Sequence, residues 1–338
     1  MDHPDVPLAH VTRDGVIEST HYGRVAVCSP DGRLLASAGD PEQMQFWRSS
    51  AKPIQALSVV TSGAADRFEL TETELAVCCA SHHGSAEHVA TVRGILGKLD
   101  LDVSHLQCGT HWPGDSEERN RLIREHQEPS PLHNNCSGKH AGMLASCLAL
   151  DAEPAGYPER DHPVQRLITL HLSVLSGVPE EEFVFGRDGC GVPTVAMPLT
   201  AMARAFARLA RPGGMPADLP SAATRIRAVM AAAPVMVSGA GSFNTELLAA
   251  CDGDIIAKGG AEGLFCLASA PRELGIAFKF ADGSGRAHAP VALALMRAAR
   301  IDVPAELAER FERPEVRNCH DEVVGHIEPA KLTLDMMA

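Results

Sequence analysis

The 338-residue chain contains no run of about 18 uninterrupted apolar residues, which excludes a membrane-spanning helix and with it a membrane partner. Basic charge is scarce: 30 Lys and Arg stand against 43 Asp and Glu, for a formal charge of -13. A nucleic-acid partner needs a clustered basic face, so that class is excluded as well. Ten cysteines are present, yet none falls in a CxxC pair, which removes the usual support for a thioredoxin or zinc-ribbon reading. Cys78 and Cys79 are adjacent, and Cys147, Cys251 and Cys266 lie in apolar patterns, so reduced thiols that fill a core are expected. The opening MDHPDVPLAH has acids and prolines where a signal peptide carries a basic and then an apolar region, and the expected location is cytoplasmic. Aromatics make up only 4%.

What remains is the composition of a soluble globular enzyme, 45% hydrophobic and 22% charged. The length suits a single catalytic domain spanning 1–338, built as one large α/β unit or as two lobes with the active site between them. GRVAVCS (23–29) and GRLLASAG (32–39) read as a hairpin around the turn signal SPDG, and 50–62, 72–79 and 86–99 carry helical spacing. On the last of these, Val89, Val92, Ile95, Leu96 and Leu99 share one side. KHAGMLASCLALDA reads as a buried helix entered through Ser137 and Gly138. Further helices are expected near 163–176, 197–210, 219–232 and 288–300, with a lobe boundary at 155–163. Strands return in GDIIAKGG, GLFCLAS and LGIAFKFADGSG. The expected fold class is therefore α/β, a mixed sheet assembled from N- and C-terminal strands with helical layers.

Several stretches concentrate chemistry. In FWRSSAKPIQAL, Ser49 and Lys52 are at i and i+3, so on a helix the amine reaches the hydroxyl and a neutral lysine could take its proton. A capped helix with a solvated lysine fits the same spacing. Ser81, His82 and His83 end an apolar run in CCASHHGSAEH. LHNNCSGKHAGML places Asn134, Asn135, Cys136 and Lys139 before a buried helix, where free backbone N–H groups can hold an anion. FGRDGCGVP brings Arg187, Asp188 and Cys190 together, and the arginine could meet a substrate carboxylate or Asp188 itself. Cys136, Lys139 and Cys190 could converge as a thiolate-rich zinc site, provided that the lysine amine is deprotonated. Lys258 stands at a strand end before Gly259 and Gly260.

The blocks SSAKP, ASHHGS, HNNCSGKHAGML, GRDGCGVP, MVSGAGSFNTEL and KGGAEG, in this order, resemble the Rhizobium etli type L-asparaginase family, also called asparaginase II or class 3. The resemblance implies a fold related to serine β-lactamases and glutaminases, a homodimer, and hydrolysis of L-asparagine to L-aspartate and ammonia. It assigns one catalytic Ser-Lys pair to Ser49 and Lys52 and a second to Ser81 and Lys258. It puts zinc on Cys136, Lys139 and Cys190, near the substrate and assisting the reaction, with Asp188 alongside. Arg187, Asn134, Asn135, Asp188 and His82 are the candidate substrate-binding residues. Asn244 stands where some members carry a further cysteine. The competing expectations are a serine amidohydrolase for glutamine or a β-lactam, and a catalytically weak asparagine-binding homologue.

Overall fold

The computed structural model describes residues 5–216, 218–331 and 334–336. They divide into two compact units. The first comprises Met1–Ser50, Met197–Arg211 and Asp254–Ala338, the second Ala51–Ala196 and Pro212–Gly253. The chain passes from one unit to the other at four points, and residues 155–163 lie inside the second.

The first unit is built on a nine-stranded sheet that draws on both ends of the chain, as the α/β reading requires. Its main path runs Glu315–Arg317, Val323–Pro329, Val6–Arg13, Val16–Cys28, Leu274–Phe280, Leu264–Ser269 and Ile255–Gly259. The ladders described along it are antiparallel. Val16–Cys28, at 13 residues, is the long central strand. Its first half pairs with Val6–Arg13 and its second half with Leu34–Ala38. The latter pair is the hairpin expected around SPDG, closed by Gly32 at φ +95°.

Strand parity decides how this sheet is covered. Phe278 and Phe280 point to one face, where Phe280 stacks on the His288 ring and Phe278 meets it edge-on at the start of helix His288–Ala298. Gly275, of opposite parity, faces helix Leu199–Ala210 so closely that a Cβ there would lie 2.0 Å from the Ala203 carbonyl oxygen. Covered on both faces, Leu264–Ser269 is buried at all six positions and shows no polar alternation.

The second unit is mainly helical. At its centre lies Ser137–Ala149, buried continuously from Ser137 to Cys147. Two glycines admit its neighbours: a Cβ on Gly138 would lie 2.2 Å from the Val77 carbonyl oxygen, and one on Gly142 2.8 Å from the Cys78 sulfur. Pro163–Ser176 begins on proline and stops at Gly177 in the left-handed region, at φ +74°. Ala86–Lys98 is capped by Ser85 and buries Val92, Ile95 and Leu96, whereas Val89 is half-buried at the edge of that face. Val184–Arg187 and the strand that begins at Pro193 form a short hairpin in register from Val184↔Ala196 to Arg187↔Pro193.

Candidate active site

In the second unit, Lys52 is completely buried in the short helix Lys52–Gln55. Its Nζ donates to Ser81 Oγ at 2.9 Å and to the Asn135 carbonyl at 3.4 Å. Ser81 sits where the backbone leaves the helical run, and its N–H is tied to the Val237 carbonyl at 2.9 Å. Thus Lys52 meets a serine 29 residues further along the chain. An ammonium or amine with no water around it makes strong use of each acceptor, because burial removes the competing solvent.

His82, next to Ser81, is 1% exposed and has both ring nitrogens engaged. Nδ1 accepts from the Gly84 N–H at 3.0 Å, so Nε2 carries the proton and donates to Ser137 Oγ at 2.9 Å, which in turn donates to the Leu132 carbonyl. Burial first, then the charges of His88 and Lys52, hold this ring well below the usual histidine range and keep it neutral. Asn134 is also committed internally: Nδ2 donates to the Cys108 carbonyl and Oδ1 accepts from the Cys136 N–H. His82 and Asn134 therefore brace the two loops that carry Ser81 and Cys136.

Cys136, Lys139 and Cys190 come together, each no more than 5% exposed. Lys139 Nζ stands 2.9 Å from Cys190 Sγ, and the two thiols hydrogen-bond each other. That thiol–thiol bond, with help from the Lys52 and Lys139 charges, pulls Cys136 well below the ordinary thiol range against the opposing effect of burial. The same bond and burial push Cys190 up, and the neighbouring sulfurs and Asp188 hold Lys139 in its charged form despite its burial. Asp188 Oδ2 lies 3.9 Å from Cys190 Sγ. Among the described residues no group of three or more His, Cys, Asp and Glu side chains gathers, so a three-ligand set here has to include the lysine amine. Two soft sulfurs and a nitrogen are a donor set that suits zinc.

Ser49 and Lys258 belong to the first unit. Ser49 is half-buried in the 3₁₀ turn Arg48–Ala51, just after Arg48 at the left-handed φ of +46°. Ser50 anchors that turn: it is fully buried and its Oγ donates to the Lys258 carbonyl at 3.1 Å. Gly260 leaves room for this approach, since a Cβ there would lie 2.7 Å from Ser50 Oγ. Lys258 is 2% exposed at the end of Ile255–Gly259, with Nζ bonded to the Gly259 carbonyl at 2.8 Å. Arg187, by contrast, is exposed and pairs with Glu159 at 3.6 Å. The sequence reading passed over Ser137, which links His82 to Leu132, and His111, which accepts the Asn135 N–H. Nothing in the sequence marks either role, because the defining partner, the His82 ring for Ser137 and the Asn135 N–H for His111, lies 55 and 24 residues away.

The model of the L-asparaginase II family matches residues 9–329. A match of that extent supports an amidohydrolase, an enzyme that splits a carboxamide with water. The chain belongs to the L-asparaginase II family. Among solved structures it is similar to a β-lactamase from Mycobacterium bovis, at 14% identity and TM-score 0.40 over 82% of this chain and 92% of that one. It is similar also to a Bacillus glutaminase, at 14% identity and TM-score 0.39 over 83% and 92%. A third similar structure is Mglu in its native form, at 16% identity and TM-score 0.45, where the match covers 82% of this chain but only 63% of Mglu. No curated protein sequence matches the chain. No helix among the described residues is long and apolar enough to cross a membrane.

Proposed function

We propose that the protein hydrolyses L-asparagine to L-aspartate and ammonia through a serine acyl-enzyme, in the cytoplasm and as a homodimer. The observation that carries this reading is the fully buried Lys52 bonded to Ser81 in a chain of the L-asparaginase II family. Ser49 attacks the side-chain amide carbon of asparagine while Lys52 accepts the hydroxyl proton. Backbone N–H groups hold the tetrahedral oxyanion. Lys52 returns the proton to the departing nitrogen, ammonia leaves, and water cleaves the aspartyl ester. Ser81 and Lys258 relay protons. Arg187, Asp188 and the amide of Asn135 receive the charged ends of the substrate, while His82 and Asn134 act by bracing the loops.

Discrimination between asparagine and glutamine rests on one methylene, which is worth about 1–3 kcal/mol in a pocket. The expected kcat/KM for asparagine accordingly exceeds that for glutamine by about 10- to 200-fold. Parallel ammonia-release assays check this. A preference for glutamine, hydrolysis of a β-lactam in place of both, or tight asparagine binding with no turnover would replace the assignment.

Cys136, Lys139 and Cys190 are proposed to hold zinc once Cys190 and Lys139 give up their protons, so metal binding should strengthen as pH rises. When bound, the ion supplies a fixed positive charge at this cluster. Purified protein is expected to carry stoichiometric zinc by elemental analysis. Chelation is expected to raise KM for asparagine more than it lowers kcat. Full rate and full affinity after chelation would leave the metal without a part in the reaction.

A further inference from the structure

His111 is exposed in the stretch CGTHWPGD, beside Trp112 at 41% exposure, and neither residue belongs to any Ser-Lys pair or to the thiol cluster. Its ring is nonetheless held on both sides. The Asn135 N–H donates to His111 Nε2 at 2.9 Å, and Nδ1 lies 2.8 Å from the Trp112 carbonyl. An amide N–H can only donate, so Nε2 must carry the lone pair and Nδ1 the proton, which it gives to Trp112. The two contacts thus require the same tautomer.

The residue anchored in this way is a junction. The Asn135 carbonyl accepts from Lys52 Nζ at 3.4 Å and from the His82 N–H at 3.3 Å, and its side-chain Oδ1 lies 3.3 Å from the Cys136 sulfur. Residue 135 is therefore held at its N–H by His111 and at its carbonyl by Lys52, with its side chain beside the cysteine cluster. Without the imidazole, the N–H of a half-buried residue turns to water, and the Asn134–Asn135 peptide loses its anchor one residue's φ and ψ away from the carbonyl that receives Lys52.

We infer that His111 is a positioning residue: by accepting the Asn135 N–H it steadies the residue whose carbonyl receives Lys52 beside Ser81, and it joins the 108–115 loop to the reacting lysine. The inference rests on the proposed amidohydrolase reading. It differs from a substrate-binding role, in which His111 would touch asparagine and its loss would appear in KM.

The test compares wild type, His111→Ala and His111→Gln, the last of which keeps an acceptor oxygen and a donor NH₂. Backbone amide exchange over 134–140, read by mass spectrometry, reports the anchor independently of turnover, and steady-state ammonia release reports the chemistry. The expected result is faster exchange in His111→Ala, a loss of about 10- to 100-fold in kcat with KM nearly unchanged, and recovery of most of both losses in His111→Gln. Unchanged exchange overturns the inference. So does faster exchange with full kcat, or a rise in KM alone. If the wild type itself releases no ammonia from asparagine, the proposed function falls and the exchange comparison alone decides the anchor.

Discussion

Ser49→Ala is expected to lower ammonia release from asparagine by about 10⁴-fold or more, with no loss of folding. The substitution removes one hydroxyl from a half-buried turn whose hold on the sheet is supplied by the next residue, Ser50, so the fold has little stake in it. Ser81→Ala instead removes the 2.9 Å partner of Lys52 and is expected to cost about 10²-fold while leaving the nucleophile in place. The contrast matters because the hydrogen bond found on Lys52 goes to Ser81, which is the observation favouring Ser81 as the attacking group. Quenched mixtures of enzyme and asparagine, digested and analysed by mass spectrometry, settle the matter: an aspartyl ester on the peptide bearing Ser49 supports the proposal. An ester on Ser81, together with retained turnover in Ser49→Ala, transfers the nucleophile to Ser81. Lys52→Met, which keeps the volume of a fully buried side chain, is expected to be as inactive as Ser49→Ala.

A large stability effect is expected at Gly138. An alanine Cβ there would lie 2.2 Å from the Val77 carbonyl oxygen, and that oxygen already accepts from the Ala80 N–H at 3.1 Å. Backbone cannot swing aside as a side chain can, so helix Ser137–Ala149 has to move away from Glu72–Val77, at a cost of about 3 kcal/mol. Gly97 provides the contrast. It lies in helix Ala86–Lys98 with nothing within 4 Å of its would-be Cβ, so Gly97→Ala is expected to stabilise by about 0.5 kcal/mol through helix propensity. Urea unfolding of the two variants beside wild type measures both signs. Equal midpoints for Gly138→Ala and wild type would show that the two helices do not approach as described.

The helices were legible where chemistry marks their ends as well as their faces. Pro163–Ser176 shows the apolar period, a proline at its start and Gly177 at its end, and the expected limits coincide with those found. Leu219–Ala232 likewise has a proline in its first turn. The hairpin around SPDG and the three strands 255–259, 264–269 and 274–280 were legible from β-rich runs between turn residues. Strands Val6–Arg13 and Val323–Pro329 were not, since their threonine, histidine and glutamate interrupt any clean alternation and their order comes from the strands beside them in the sheet. In the site, the convergence of Cys136, Lys139 and Cys190 followed from the resemblance. The pairing of Lys52 with Ser81 did not: spacing can suggest an i, i+3 partner but carries no information about a loop that returns 29 residues later. The internal commitments of His82, Asn134 and Ser50 were hidden for the same reason, because each reaches a group far along the chain: the Ser137 hydroxyl, the Cys108 carbonyl and the Lys258 carbonyl.

The pairing of Val6–Arg13 with Val323–Pro329 also has a consequence in time. During synthesis the first of these strands leaves the ribosome about 310 residues before the second, which at cellular elongation rates is roughly 15 to 60 s. Throughout that interval the early strand has Val16–Cys28 on one side and an open row of amides on the other. A nascent chain of this protein therefore carries an adhesive edge for most of its production, and crowding on a polysome should lower its yield more than crowding of the finished enzyme does.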